Sequence, residues 1–207
     1  MDGAAIILSG GRNSRMGRNK AFVNVNGKAI IAQIIETLRP VAAEIIVVTN
    51  CPDEYRHLGV SLTGDIIANQ GPLSGIHAGL SASNHRNNLV VACDMPFVEA
   101  PLAQALLELA PGYDVVVPQW RDYLQPLFAV YAKTCIAPIE ACLRGDIRKI
   151  IAFYPQVRVR YAGEPLLRQW GDPERIFFNV NTPADLAAAS AMDSPKAAEG
   201  TDRCDLA

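Results

Sequence analysis

Histidine is nearly missing from this 207-residue chain, which has only His57, His77 and His85. They form no HExxH pattern and no metal-ligand spacing, so each reads as a surface or loop residue. The five cysteines, Cys51, Cys93, Cys135, Cys142 and Cys204, include no CxxC pair. That argues against a zinc cluster or a redox dithiol, and an odd, scattered set reads as free thiols. None of these eight side chains is assigned a catalytic role. An excess of positive charge is lacking too: the formal net charge of −2 excludes the strongly basic face of a general nucleic-acid binder. No apolar run reaches the roughly 18 residues that span a bilayer. The N-terminus passes straight into an apolar run and leaves no room for a signal peptide, so a cytoplasmic location away from membranes is expected.

Hydrophobic residues make up 50% of the chain, enough for one sizeable core. A single domain is expected over residues 1–192, followed by a small, polar, patternless tail at 193–207 that reads as disordered. Within the domain, apolar runs alternate with helical stretches. Ala4-Ala5-Ile6-Ile7-Leu8 has the composition of a buried strand. Lys28 to Arg39 sets Ile30, Ile31, Ile34, Ile35 and Leu38 on one helical face, and Pro40 ends it. Further strands are expected over Glu44 to Thr49, Val60 to Ile67, Leu89 to Cys93 and Tyr113 to Pro118. Helices are expected over Gly71 to Ser83 and Leu102 to Leu109. The second half is less regular. A strand is expected over Gln125 to Tyr131, a helix over Lys133 to Arg144, and a strand over Val157 to Tyr161. A last strand is expected over Arg175 to Val180, followed by a helix from Pro183 capped by Thr182 or Asn181. The pattern predicts an α/β three-layer sandwich: a mostly parallel mixed sheet, with at least one antiparallel strand, and helices on both faces.

The densest signal lies in LSGGRNSRMGRNK, residues 8–20. A buried strand opens into a double glycine, and Arg12, Arg15, Arg18 and Lys20 crowd positive charge into one loop. Such a loop can hold a polyphosphate, although an ordinary strand-to-helix turn with solvated arginines has the same composition. It is neither a Walker A loop nor the dinucleotide fingerprint, because Gly11 and Gly17 are six apart and no Ser or Thr follows Lys20. In open α/β sheets, ligands sit beyond the carboxyl ends of the strands. There the run Val90-Val91-Ala92-Cys93-Asp94-Met95-Pro96 ends on a carboxylate. Asp94 suits either a turn cap or, beside a phosphate loop, a Mg²⁺ ligand, since Mg²⁺ usually takes one or two carboxylates plus phosphate oxygens. Asn179 and Asn181 would share one side of a strand end, with helix capping as the alternative for Asn181.

The loop at 8–20, GPLSGI at Gly71 to Ile76, ACDMPF at Ala92 to Phe97, QPLFAVY at Gln125 to Tyr131 and NVNTPADL at Asn179 to Leu186 together resemble the molybdenum cofactor guanylyltransferases. These belong to the nucleotidyltransferase superfamily, of Rossmann-like, GT-A-like architecture. The resemblance covers roughly residues 4–190 in order. It implies transfer of GMP from GTP to the terminal phosphate of molybdenum-bound molybdopterin, with release of pyrophosphate and Mg²⁺ as cofactor. Leu8, Ser9, Gly10 and Gly11 would then contact the nucleotide, Arg15 and Lys20 would neutralise the triphosphate, and Asp94 would bind Mg²⁺ and GTP. Asp65 and Asn50 fall near the nucleoside, Asn179 and Asn181 near the metal and phosphates on the acceptor side, and Gln125 and Pro126 at the pterin. Trp120 and Arg121 are further candidates at the pterin, with an exposed loop as the alternative. Members commonly carry an aspartate where this chain has Asn19. The double glycine Gly10-Gly11 favours the guanylyl enzymes over the sister enzymes that use CTP. A non-catalytic nucleotide-binding module is the remaining alternative, and the retained Asp94 argues against it. Handover of a labile cofactor would imply insertion proteins or molybdoenzyme chaperones as partners.

Overall fold

The computed structural model describes residues 3–10, 19–68 and 70–192. The region 193–207 and the loop segment that contains Gly11, Arg12, Arg15, Gly17 and Arg18 lie outside the described residues. The chain starts with β1 (Gly3–Leu8), a short hairpin of β2 (Asn24–Val25) and β3 (Lys28–Ala29), and α1 (Ile30–Leu38). There follow β4 (Glu44–Val48), β5 (Ser61–Thr63), α2 (Pro72–Ala82), β6 (Asn87–Ala92) and α3 (Ala100–Glu108). Next come β7 (Val115–Trp120), β8 (Tyr123–Leu124), β9 (Phe128–Ala132), α4 (Ile136–Arg144) and β10 (Val159–Ala162). The short helices α5 (Glu164–Leu167) and α6 (Pro173–Ile176) precede α7 (Pro183–Met192).

The main sheet runs in the order β10-β7-β9-β6-β1-β4-β5, with β8 paired to β7. Pairing is parallel between β1 and β4, β1 and β6, β4 and β5, and β7 and β10. β9 runs antiparallel to both of its neighbours, β6 and β7. This is the expected mixed sheet. Alternate residues of each strand feed opposite faces, as the period of two requires. Ala5, Ile7, Val47, Leu89, Val91 and Val130 join α1 and α3 on one side. Ile6, Leu8, Ile46, Val48, Val90, Ala129 and Tyr131 join α2 and α4 on the other. Strands buried on both faces read as continuous apolar runs, which is why β1, β4 and β6 stand out in the sequence.

Three expectations need correction. The helix expected from Lys28 begins at Ile30, because Lys28 and Ala29 pair with Val25 and Asn24. Asn26 (φ 52°) and Gly27 (φ 85°) supply the two positive dihedrals of a tight hairpin there. The strand expected over Arg175 to Val180 is absent. Asp172 caps the helical turn α6 by accepting from the Glu174 amide, and Pro173 occupies its first position. Phe177 then packs edge-on against Phe128, and Phe178 packs against Phe97. Tertiary packing, rather than a ladder, accounts for that apolar run. The strand expected over Val60 to Ile67, β5, is also shorter, three residues ending before Gly64.

Helix α2 lies unusually close to the sheet. A methyl group on Gly75 would sit 3.2 Å from Leu8, and one on Gly79 would press into Ile6 Cγ2 with Val48 Cγ2 at 3.2 Å. Gly79→Ala is expected to destabilise the protein by about 1–3 kcal/mol through overpacking. Alanine is by itself the better helix former by about 1 kcal/mol. Urea unfolding therefore tests the contact by sign, and an equal or higher stability would contradict it.

Candidate active site

The parallel strands β1, β4 and β6 end level with one another: Leu8 is in register with Val48 and with Ala92. Backbone bonding continues past the strand ends, from Ser9 N to Val48 O (2.9 Å), Cys93 N to Leu8 O (3.1 Å) and Thr49 N to Thr63 O (2.8 Å). Ser9, Asn50 and Asp94, far apart in sequence, thereby share one edge. Because β9 is antiparallel, its start rather than its end reaches the same edge. Gln125, Pro126 and Leu127 sit there, with Leu127 O accepting from Ala92 N at 3.0 Å. From β9 through β6, β1 and β4 to β5 is four strand spacings, about 19 Å. An extended ligand of nucleotide size or larger fits that span.

At the β5 end, Asn50 and Asp65 lock together. Asn50 Nδ2 donates to Asp65 Oδ2 and Asn50 Oδ1 accepts from the Asp65 amide, both at 3.0 Å. In the centre, Tyr55 gathers the two flanks of the basic loop. Its hydroxyl lies 2.7 Å from Ser9 Oγ and accepts from Asn19 Nδ2 at 2.7 Å. Tyr55 is fully buried, and burial raises its phenol, which stays neutral. Asn19 also donates to Glu54 Oε2 at 2.7 Å and accepts from the Ala21 amide at 3.2 Å, capping the 3₁₀ turn Lys20–Phe22. An aspartate could cap that turn, but it could not donate to Glu54 and would repel it. This explains why an amide stands at position 19. Tyr55 left no motif in the sequence; only its tertiary place reveals it.

Lys20 and the C-terminal segment close over Asp94. Lys20 Nζ donates to Asn181 Oδ1 at 2.7 Å, and Val180 N donates to the Asp94 carbonyl at 2.8 Å. Thr182, not Asn181, caps α7: Thr182 Oγ1 accepts from the Asp185 amide, while Asp185 Oδ2 accepts from the Asn181 and Thr182 amides. The Asn181 side chain is thus left for Lys20. Asn179 donates instead to Phe177 O at 2.9 Å, so the two amides have different partners. Trp120 is nearly buried beneath the guanidinium groups of Arg121 (5.2 Å) and Arg168 (5.0 Å), and Arg121 pairs with Glu174. Concavities of about 210 and 470 Å³, lined around Glu44–Ile45 and around Tyr154–Tyr161 respectively, do not include these residues.

Asp94 is the electrostatic centre. Its Oδ1 is buried without a hydrogen-bond partner among the described residues. Burial raises its carboxyl, an effect opposed by the nearby Lys20 ammonium and by its own backbone amide. A carboxylate oxygen held in such a place is one that could ligate a cation. No group of three or more His, Cys, Asp or Glu able to hold a metal occurs among the described residues. No helix among the described residues is long and apolar enough to cross a membrane.

A parallel sheet edge that joins a glycine turn, a lysine, a lone strand-end carboxylate and amide side chains is the arrangement of a nucleotidyltransferase. Residues 5–162 match the model of the MobA-like NTP transferase domain, and the chain belongs to that family. A relative from Pelotomaculum thermopropionicum, named as a probable molybdenum cofactor guanylyltransferase, is 47% identical, over 93% of this chain and 94% of its own. The crystal structure of molybdopterin-guanine dinucleotide biosynthesis protein A from Archaeoglobus fulgidus superposes with a TM-score of 0.79 at 30% identity, covering 91% and 97% of the two chains. The 2-C-methyl-D-erythritol 4-phosphate cytidylyltransferase from Thermus thermophilus shares the fold at 19% identity, with a TM-score of 0.66 and coverages of 91% and 97%.

Two expectations follow from the burial. The carboxyl of Asp94 is raised in the folded protein, so the native state binds more protons than the unfolded one above the ordinary aspartate range. Its contribution therefore falls as pH rises through that window. Asp94→Asn is expected to raise the Tm of the ligand-free, metal-free protein at neutral pH, and a lower Tm would contradict the burial argument. Burial also pushes the Cys93 thiol up to about 11. A thiol reagent at neutral pH should label exposed Cys51 at once and half-buried Cys93, whose thiol is held protonated, far more slowly. Rapid labelling of Cys93 in the folded protein would contradict its placement.

Proposed function

We propose that the protein transfers GMP from GTP to the terminal phosphate of molybdenum-bound molybdopterin, forming molybdopterin guanine dinucleotide and releasing pyrophosphate. The observation that carries this reading is the order of groups along one edge. Asn50 and Asp65 lie at one end, Lys20, Asn181 and Asp94 at the centre, and Gln125 and Pro126 at the other. The order matches nucleoside, phosphates and acceptor laid end to end, and kinship with the guanylyltransferases supports the same assignment. Leu8, Ser9 and Gly10 would approach the nucleotide through the backbone. Gly11 carries the same assignment, and Arg15 that of neutralising the triphosphate, from the sequence alone.

The acceptor is a phosphate monoester, mostly dianionic at neutral pH because its second pKa is near 6. One of its oxygens bonds to the α-phosphorus of GTP as the bond from that phosphorus to the β-phosphate oxygen breaks. No proton has to be removed, so the chain needs no general base, and the missing histidine constellation is accounted for. The barrier is the approach of one anion to another. Lys20, oriented by Asn181, supplies positive charge where pyrophosphate departs. Asp94 would hold Mg²⁺, with its unpaired Oδ1 as the ligand atom; the ion, when bound, offsets phosphate charge. The remaining contribution is alignment of donor and acceptor. A cytoplasmic site of action and handover to cofactor-insertion proteins belong to the same proposal.

The test is pyrophosphate release with Mg²⁺, comparing GTP with CTP, with and without molybdenum-bound molybdopterin. Release that requires GTP and the pterin is expected, and Lys20→Ala and Asp94→Ala should each lower it by about 10²-fold or more while the fold is kept. Release with CTP instead would move the protein to the cytidylyl enzymes. Tight GTP binding without release would make it a binding module.

A further inference from the structure

The loop Gln125–Leu127 is held by its backbone at nearly every point. Gln125 N donates to Pro118 O (2.9 Å), Gln125 O accepts from Phe128 N (3.0 Å), and Leu127 O accepts from Ala92 N. Pro126 has no N–H, so its carbonyl is its only main-chain hydrogen-bonding group. That carbonyl accepts from Tyr131 Oη at 2.7 Å. Tyr131 has a single hydroxyl hydrogen, and a carbonyl can only accept. The 3.0 Å contact between the Tyr131 and Tyr154 hydroxyls is therefore donated by Tyr154.

Both phenols sit in the apolar cluster shared with α2 and α4, Tyr131 at 0% and Tyr154 at 6% exposure, with Phe153 packed against each ring. Phenylalanine at 131 would fill that space without burying a hydroxyl, whose transfer from water is unfavourable unless it is hydrogen-bonded. What the hydroxyl adds is a fixed direction for the Pro126 carbonyl. We propose that Tyr131, oriented by Tyr154, is a positioning residue that holds the Gln125–Pro126 loop in the geometry that receives the acceptor. The proposal rests on the reading that the acceptor lies at this loop. Burial raises both phenols, so the relay Tyr154 to Tyr131 to Pro126 remains protonated across neutral pH.

The test uses the full chain with Tyr131→Phe, Tyr154→Phe and the double variant. Tyr131→Phe should raise KM for the pterin acceptor about tenfold and leave KM for GTP unchanged. Tyr154→Phe, which keeps the bond to Pro126, should raise it about threefold. The double variant should be no worse than Tyr131→Phe, because the two act in series. An unchanged acceptor KM in folded Tyr131→Phe, or a GTP KM rising in proportion, would overturn the proposal. Amide hydrogen exchange gives a readout independent of turnover: Phe128 and Ala92 should exchange faster in Tyr131→Phe, and unchanged exchange would overturn the positioning role. Wild-type protein that releases no pyrophosphate would instead sink the functional reading, and exchange alone would then decide the role of the relay. If Tyr131→Phe does not fold, Tyr154→Phe decides by the same two measurements.

Discussion

Three parallel strands ending at one level is the constraint on which the rest of the molecule depends. Leu8 sits between Val48 and Ala92, and hydrogen bonds past the strand ends keep that alignment for one more residue on each side. A slip of one residue in any of these ladders would send the side chains fitted to one helical layer into the other, so both cores oppose it. The apolar alternation that builds two cores is therefore also what sets Ser9, Asn50 and Asp94 side by side. The close seating of α2 against Ile6 and Val48 pins the same strands from one face.

On that edge, polar groups are paired in an ordered way. Asn50 holds Asp65, Tyr55 joins Ser9 to Asn19, and Asn181 holds Lys20. Asp94 differs, since its carbonyl is engaged by Val180 while its Oδ1 is buried with no hydrogen-bond partner among the described residues. Most buried polar atoms in folded proteins are satisfied, so an exception calls for a physical explanation.

Much of this was legible in the residues. Strands buried on both faces announce themselves as unbroken runs, and Asp94 was visible because a carboxylate ended such a run before a proline. Lys20 and Asn181 were visible as motif members, although their contact, 161 positions apart, was not. Arg175 to Val180 misled because Phe177, Phe178 and Val180 have strand composition, while Phe128, Phe97 and the Asp94 carbonyl supply their partners. Tyr55 and Tyr131 could not be found by pattern. One sits in an irregular turn and the other in an apolar strand, and their roles rest on hydroxyl contacts to distant segments.

The reversed direction of β9 makes the edge two-sided in its inheritance. Connections that leave β1, β4 and β6 at this edge run into hairpin, turn and helix, so a change of length there disturbs packing on a face of the sheet. The Gln125–Leu127 segment instead arrives from the short β8 hairpin arm, where an insertion can bulge outward before the chain descends into β9. Length can thus be taken up in the β8 arm while the backbone bonds of Gln125–Leu127 keep the mouth of β9 in place. The flank built on the antiparallel strand is therefore joined to the sheet by a different kind of connection from the flank built on the parallel ones.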